Sequence, residues 1–333
     1  MRILCDKPSL LKDALYDKFN QDFSVDYSPA LDIYTKNSAI LQTLKGMYFS
    51  SKLDFENDEL LEYIKSCAQP AVVNEPTCYT CYNYQDFDDF CKKYIDNETT
   101  LRIAYDVETT AAPFLSARYK LAGFSLANNV EYGCYVVLDS IDYTNPDIDK
   151  CLERLSEVLR THRVLVFNAQ HEYIATNICV NTDLWRETKE LDDAYSFVLT
   201  LKTESFKADV FKLKLLCHRL LDTDNWASII DDYISLAMQI GSDVPYVRDE
   251  YTESQKEKLS AMYSMLEEYN YTKEDCKDFV EKLQTSYPDW QEQDTLPYNL
   301  IPSRMIMRYG CYDSCYLIAL FDFFNQWAKE LVS

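Results

Sequence analysis

Four apolar runs between residues 101 and 169 constrain this chain more than any other feature. LRIAYDVETT, YKLAGFSLAN and EYGCYVVLD each have the apolar, β-branched and aromatic content of a strand, and Asn128-Asn129 between the second and third is a turn pair. Residues 147–160 (DIDKCLERLSEVLR) then place Ile148, Leu152, Leu155 and Leu159 on one helical face. VLVFNA at 164–169 is a fourth, buried strand. Helical spacing recurs at 86–95, 170–179, 192–201 and 209–221, and a last helix is expected to begin near Ser303, as N-cap, and run to about Lys329. Strands joined by tight turns, then helix, strand and helices, make a mixed sheet with helices on both faces.

Flanking this block are two acidic regions. Residues 1–76 mix short apolar runs with acid and read as an N-terminal α/β appendage, closed by a linker between Pro70 and Pro76. Residues 77–333 form the second unit, and within it 223–300 carry 17 Asp/Glu against 6 Lys/Arg and read as a helical insertion. Acid exceeds base by 55 to 33 overall, a formal charge of −22, which excludes a protein that coats nucleic acid by charge alone. Contact with nucleic acid then needs a local basic patch and a metal site. Only five glycines occur in 333 residues, and no G-x-G-x-x-G or P-loop pattern exists, so Gly-rich phosphate loops are excluded. No apolar run is long enough to span a membrane, and the N-terminus lacks a signal-peptide core, so a cytoplasmic location is expected, in a host cytoplasm if the gene is a phage's. The twelve cysteines read as reduced thiols, and only Cys78-Tyr-Thr-Cys81 has a metal-ligand spacing, without a second pair to complete it.

Three short patterns carry chemistry. Asp106-Val-Glu108 ends the first strand, where residues two apart point to the same face, while Ile103, Tyr105 and Val107 face the core. Two carboxylates on one rigid face can hold a hard divalent cation. Tyr309 and Asp313, four apart, share a helix face. Asn168 and Glu172 follow the fourth strand and open a helix, a placement that also suits an N-cap and a first-turn acid. Alone each pattern is common: Asp-x-Glu recurs at Asp54/Glu56 and Asp96/Glu98, and the Tyr/Asp spacing recurs at Tyr82/Asp86 and Tyr135/Asp139.

In order and context, the three patterns resemble the motifs of the DEDD 3′–5′ exonucleases, in particular the proofreading exonuclease domain of family-A DNA polymerases. LDDAYSFVLTL (191–201) followed by KLKLLCHRLL (212–221) is similar to that family's segment between its second and third motifs. The resemblance covers roughly 100–222 and 301–325. It implies an α/β fold: a ribonuclease-H-like mixed five-stranded sheet flanked by helices. No histidine stands five residues before Asp313, so this is the tyrosine (DEDDy) variant. Two departures stand out: Glu172 replaces the usual Asp, reaching one methylene further, and His171 sits where an aromatic is common. The 223–300 insertion also exceeds the family's usual connection.

The resemblance implies two divalent cations, Mg²⁺ or Mn²⁺, about 4 Å apart, clamping the attacking and leaving oxygens of an in-line displacement. Asp106, Glu108, Glu172 and Asp313 would be the metal ligands and Tyr309 would orient the attacking water. Lys202, Lys207, Lys212 and Lys214, with Arg219, form the clearest basic stretch, and Arg304 and Arg308 sit one turn apart beside Tyr309. Thr109 and Asn168 flank the acids as substrate contacts, and Phe114, Leu115 and Tyr119 offer rings and an apolar wedge for a frayed end. The expected substrate is a single-stranded or frayed DNA 3′ end. Only 20 residues follow Asp313, so a separately encoded DNA polymerase is the expected partner for proofreading. Two other readings stay open: an RNA-trimming exonuclease, and a catalytically weak module that uses its acidity to bind protein or mimic DNA.

Overall fold

The computed structural model describes residues 2–4, 24–26, 74–97, 102–112, 118–180, 190–195, 212–241, 271–288 and 296–332, with isolated positions between them. Of the predicted appendage, only β1 (Arg2–Leu4), β2 (Ser24–Asp26) and the stretch from 74 onward fall within these residues, and β1 and β2 pair in parallel as a separate ribbon.

The main sheet has six strands: β3 (Thr77–Cys81), β4 (Arg102–Thr109), β5 (Leu121–Ala127), β6 (Tyr132–Val137), β7 (Arg163–Val166) and β8 (Glu190–Asp193), in the spatial order β3-β6-β5-β4-β7-β8. The β4–β5–β6 meander is antiparallel, whereas β7 and β8 add in parallel beside β4. The five strands from β6 to β8 in that order make the ribonuclease-H-like sheet that the resemblance implies. The sixth, β3, was not expected. It pairs in parallel with β6 at the far edge. The expected helix over 192–201 is also corrected at its start, because Asp192 and Asp193 belong to β8, where Leu191 is buried and Val166 pairs with Asp193.

Edge strand β3 also explains the Cys78/Cys81 pair. Three residues apart on a strand, the two side chains fall on opposite faces. Cys81 is buried among Phe87, Phe90 and Cys134 on one face, while Cys78 packs on the other beside Cys311. The strand divides the two thiols.

One face of the sheet is covered by α1 (Tyr84–Phe90, extended by a π-turn over Cys91–Ile95), α2 (Ile148–Thr161) and α3 (Ala169–Cys179). Ile103, Tyr105 and Val107 of β4 point into this core, with Phe87, Leu155 and Leu159. The other face holds α4 (Leu213–Leu221), α5 (Ser228–Gly241), α6 (Lys273–Ser286) and the 30-residue α7 (Ser303–Val332). Trp226, Ile230, Tyr233, Phe279 and Val280 share one continuous core with α7. The described part of 223–300 therefore packs into this layer.

Helix α7 lies across β4, β5 and β6. Every residue from Tyr309 to Phe321 is buried, so the helix is covered by the sheet on one side and by helices on the other. Its start is capped from a distance. Asp142, in the loop after β6, accepts the Ser303 N–H at 2.8 Å and the Ser303 hydroxyl at 3.0 Å. Ser303 is thus the first helical residue and not the N-cap. Burial alone would raise the Asp142 carboxyl, but hydrogen bonds from Tyr271 and Ser303 outweigh it and hold the group below its usual range.

Candidate active site

Helix α7 runs beneath the face of β4 that carries Asp106 and Glu108. The i, i+2 alternation of β4 sends both carboxylates toward α7, and a register shift between Glu108 and Thr109 bends the strand where the pair ends. Asp313 rises from α7 to meet them. One carboxylate oxygen from each of Asp106, Glu108 and Asp313 lies within 4.8 Å of the others. Asp313 is 2% exposed and Glu108 is 4% exposed, so these charges are largely out of water.

Such a cluster resists ionisation. Burial, then Asp313, pushes Asp106 up to about 8. Burial, then Asp106 and Asp313, raises Glu108 well above its ordinary value, and the two carboxyls are hydrogen-bonded to each other. Burial also raises Asp313, but less, because two donors oppose it. Lys214 Nζ lies 2.8 Å from Asp313 Oδ2, and the Trp226 indole N–H donates to Asp313 Oδ1 at 2.8 Å. The Lys214 ammonium also sits 4.3 Å from the centre of the Tyr309 ring.

Glu172 reaches the same site from the first turn of α3. It stands outside the 4.8 Å group but is 1% exposed, and its Oε2 has no hydrogen-bond partner among the described residues. Burial, then Asp106 and Glu108, raises its carboxyl well above the usual range. The entry to α3 is fixed by Asp193 of β8, which accepts the N–H of Asn168 at 3.0 Å and of Ala169 at 3.1 Å. Asn168 itself is in the left-handed region (φ 71°), exposed, and its side chain does not cap the helix.

Tyr309 completes the group. Its hydroxyl meets the Tyr298 hydroxyl at 3.0 Å, and burial followed by the charge of Glu108 raises both phenols well above their ordinary value. A third phenol, Tyr135, lies beneath, with burial and then Glu108 and Asp106 raising it. Its ring fits only because two neighbours lack side chains: a Cβ on Gly123 would lie 2.2 Å from its hydroxyl, and one on Gly310 would lie 2.5 Å from its ring.

The structure thus brings together Asp106, Glu108, Glu172, Tyr309 and Asp313. Of the expected substrate contacts, Lys214 enters the carboxylate cluster itself. Lys212 is exposed at the start of α4, and Arg304 is exposed on α7. Arg308 is drawn elsewhere, donating to Glu75 at 2.8 Å and lying 5.3 Å from the Tyr312 ring. Thr109 is buried and hydrogen-bonded with Tyr119, so it braces the strand end. Lys202, Lys207, Phe114 and Leu115 lie outside the described residues. Reading the sequence missed Trp226, Tyr298, Asp193 and Tyr135. Only Asp193 had a signal, in LDDAYSFVLTL.

The donor set fits hard divalent cations. Three clustered carboxylates and a fourth with an unpartnered buried oxygen offer only hard oxygen ligands, which suit Mg²⁺ or Mn²⁺. Both Asp313 oxygens already accept one hydrogen bond, and each keeps a further lone pair.

No family model matches the sequence, and no curated protein matches it either. Among solved structures, the fold is similar to Trypanosoma brucei RNase D in its GMP complex (11% identity, 72% of this chain and 74% of that chain, TM-score 0.36). It is similar to the Aedes aegypti Nibbler EXO domain (10% identity, 63% and 98%, TM-score 0.33). It is also similar to Brucella melitensis NrnC with bound Mg²⁺ (13% identity, 61% and 94%, TM-score 0.26). At 10–13% identity these are likenesses of an α/β fold.

Proposed function

We propose that the chain is a metal-dependent 3′–5′ exonuclease that hydrolyses phosphodiester bonds. The observation that carries this reading is the Asp106–Glu108–Asp313 cluster, within 4.8 Å and largely buried, with Glu172 beside it and Tyr309 one helical turn from Asp313. Four converging acids, three buried and Asp106 half-buried, raise one another's pKa and cost stability, an arrangement that structural packing alone does not reward.

Asp106, Glu108 and Asp313 would hold one cation, with Asp106 reaching toward a second held by Glu172. Bound there, the cations lower the pKa of a water and offset charge on the phosphate. Tyr309 keeps its proton at neutral pH, so its hydroxyl serves to orient the attacking water and not to deprotonate it. Lys214 adds a fixed positive charge beside Asp313, where a phosphate oxygen would approach. Exposed Asn168 and Arg304 would meet a strand lying across the site.

The substrate we favour is a single-stranded or frayed DNA 3′ end. The net charge of −22 favours delivery to that end by a partner, and proofreading beside a separately encoded DNA polymerase meets this need. The test is release of nucleotides from 3′-labelled DNA and RNA in Mg²⁺ and in Mn²⁺, with 5′-labelled and 3′-blocked controls. Size-exclusion of the chain with polymerases from its own source tests the partner. Preference for RNA would replace the substrate, and no release from either strand would overturn the enzyme.

A further inference from the structure

Two side chains of the site come from the segment between its second and third motifs, and from opposite ends of it. Trp226 lies just after α4, and its indole N–H donates to Asp313 Oδ1 at 2.8 Å. Tyr298 lies in the single 3₁₀ turn before α7, and its hydroxyl meets that of Tyr309 at 3.0 Å. Each touches a different α7 residue of the proposed machinery. Neither lies within reach of the other's target by sequence, so the two contacts are independent observations.

The segment is built to hold both. Trp226 is 6% exposed, and its ring lies 4.7 Å from that of Tyr316 on α7, one turn beyond Asp313. The Tyr298 ring lies 5.7 Å from that of Tyr309 at a 35° tilt. Between them α5 and α6 close on Tyr233 and Phe279, whose rings meet edge-on at 5.5 Å. Tyr271, just before α6, donates at 2.6 Å to Asp142, the same carboxylate that caps α7. Thus the described parts of the segment grip α7 at its start, at Tyr309 and at Asp313.

We propose that Trp226 and Tyr298 are positioning residues for this reaction, Trp226 acting through Asp313 and Tyr298 through Tyr309. The proposal rests on the exonuclease reading above and goes beyond it. The torsion that turns a carboxylate about its Cβ–Cγ bond is broad and roughly two-fold, so a metal-ligating carboxylate needs external donors to fix its plane. Trp226 occupies one oxygen and Lys214 the other, which sets that plane. A phenol hydroxyl rotates about its C–O bond to suit its partner. The Tyr298 hydroxyl fixes which way Tyr309 offers its proton.

Two variants keep an aromatic ring and remove one polar group each: Trp226→Phe, which also gives up the smaller ring of the indole, and Tyr298→Phe. With wild type hydrolysing a 3′ end, each should lower kcat about tenfold with KM unchanged, because neither residue meets the substrate. Tyr298→Phe should have little further effect in a Tyr309→Phe background. Additive losses in that double variant would overturn action through Tyr309. Independently of activity, ¹H–¹⁵N spectra show four indole N–H signals, one per tryptophan. The signal lost in Trp226→Phe should shift in Asp313→Asn and on titration of wild type with Mg²⁺, while the other three stay in place. A Trp226 signal indifferent to both would overturn its role. Wild-type kcat in both of these variants, with Asp313→Asn inactive, would overturn the proposal while leaving the exonuclease reading intact. An inactive wild type whose Trp226 signal still reports Asp313 would overturn that reading and leave the contact standing.

Discussion

Lys214→Met removes a charge from the carboxylate cluster and keeps the aliphatic stem, so its effect measures how far that ammonium offsets the acids. The ion pair is 2.8 Å long, with the Asp313 side chain 3% exposed and that of Lys214 25% exposed. Breaking a fully buried pair costs about 3–5 kcal/mol, because the remaining charge is left unpaired, while an exposed pair is worth ~0–1 kcal/mol. A pair this far from water sits nearer the first limit, and the Trp226 N–H and protonation of the acids relieve part of the loss. We expect a net loss of about 2 kcal/mol in metal-free protein at pH 7. For a domain of this size that is a fall in Tm of roughly 4–8 °C. Divalent cation supplies the missing positive charge, so saturating Mg²⁺ should return at least half of the loss. The assay is thermal and urea unfolding of both proteins in EDTA and in Mg²⁺. Equal stability in EDTA, or a deficit that Mg²⁺ leaves untouched, would refute the view that Lys214 is the cluster's internal counter-ion.

The metal-free protein should lose stability as pH rises from about 4 toward 8: Asp106, raised to about 8, and Glu108 and Glu172, raised well above ordinary values, hold protons in the folded state that the unfolded chain has released. Unfolding midpoints across that range test this, and a Tm that climbs with pH would contradict the sign. Asp106→Asn and Asp313→Asn should each abolish nucleotide release while circular dichroism stays native, and wild-type rates in both would rule the site out. Glu172→Gln should cut turnover strongly, Glu172→Asp should retain some, and Tyr309→Phe should be milder than Asp313→Asn; single-turnover rates in Mg²⁺ and Mn²⁺ rank them. Gly310→Ala should lower Tm although alanine is the better helix former by ~1 kcal/mol, because its Cβ would lie 2.5 Å from the Tyr135 ring; a rise in Tm would show that the ring yields freely.

The sheet was legible where local pattern and tertiary demand agree. β4, β5, β6 and β7 are apolar runs buried on both faces, and α2 has a clean amphipathic stripe, so their residues carry the same message at each level. β3 and β8 did not, for different reasons. TCYTC is short and rich in cysteine and threonine, and ELDD carries three acids, of which Asp192 and Asp193 become acceptable in a strand only after folding. Asp192 is paired with Arg102 of β4, and Asp193 accepts hydrogen bonds from the amides opening α3. The clustered acids were visible through spacing, because i, i+2 on a strand and i, i+4 on a helix are local geometry. Trp226, Tyr298 and Tyr135 were not, because each acts on a residue far away in the chain and has no periodic signature. Lys214 was noticed as one basic residue among several, and only the packing of α4 against α7 distinguishes it.

Asp313 lies in the middle of the stretch of α7 that is buried on every side. Most reactive side chains sit on segments that can open while the rest of a protein stays closed. Here the carboxylate belongs to the helix around which one whole layer is assembled, opposite a central strand of the sheet. Nothing local can fray to disturb the alignment of Asp313 with Asp106 and Glu108 without dismantling that layer. On heating, the alignment of these acids and the fold are therefore tied to one event, and the proposed site shares the cooperative stability of that layer.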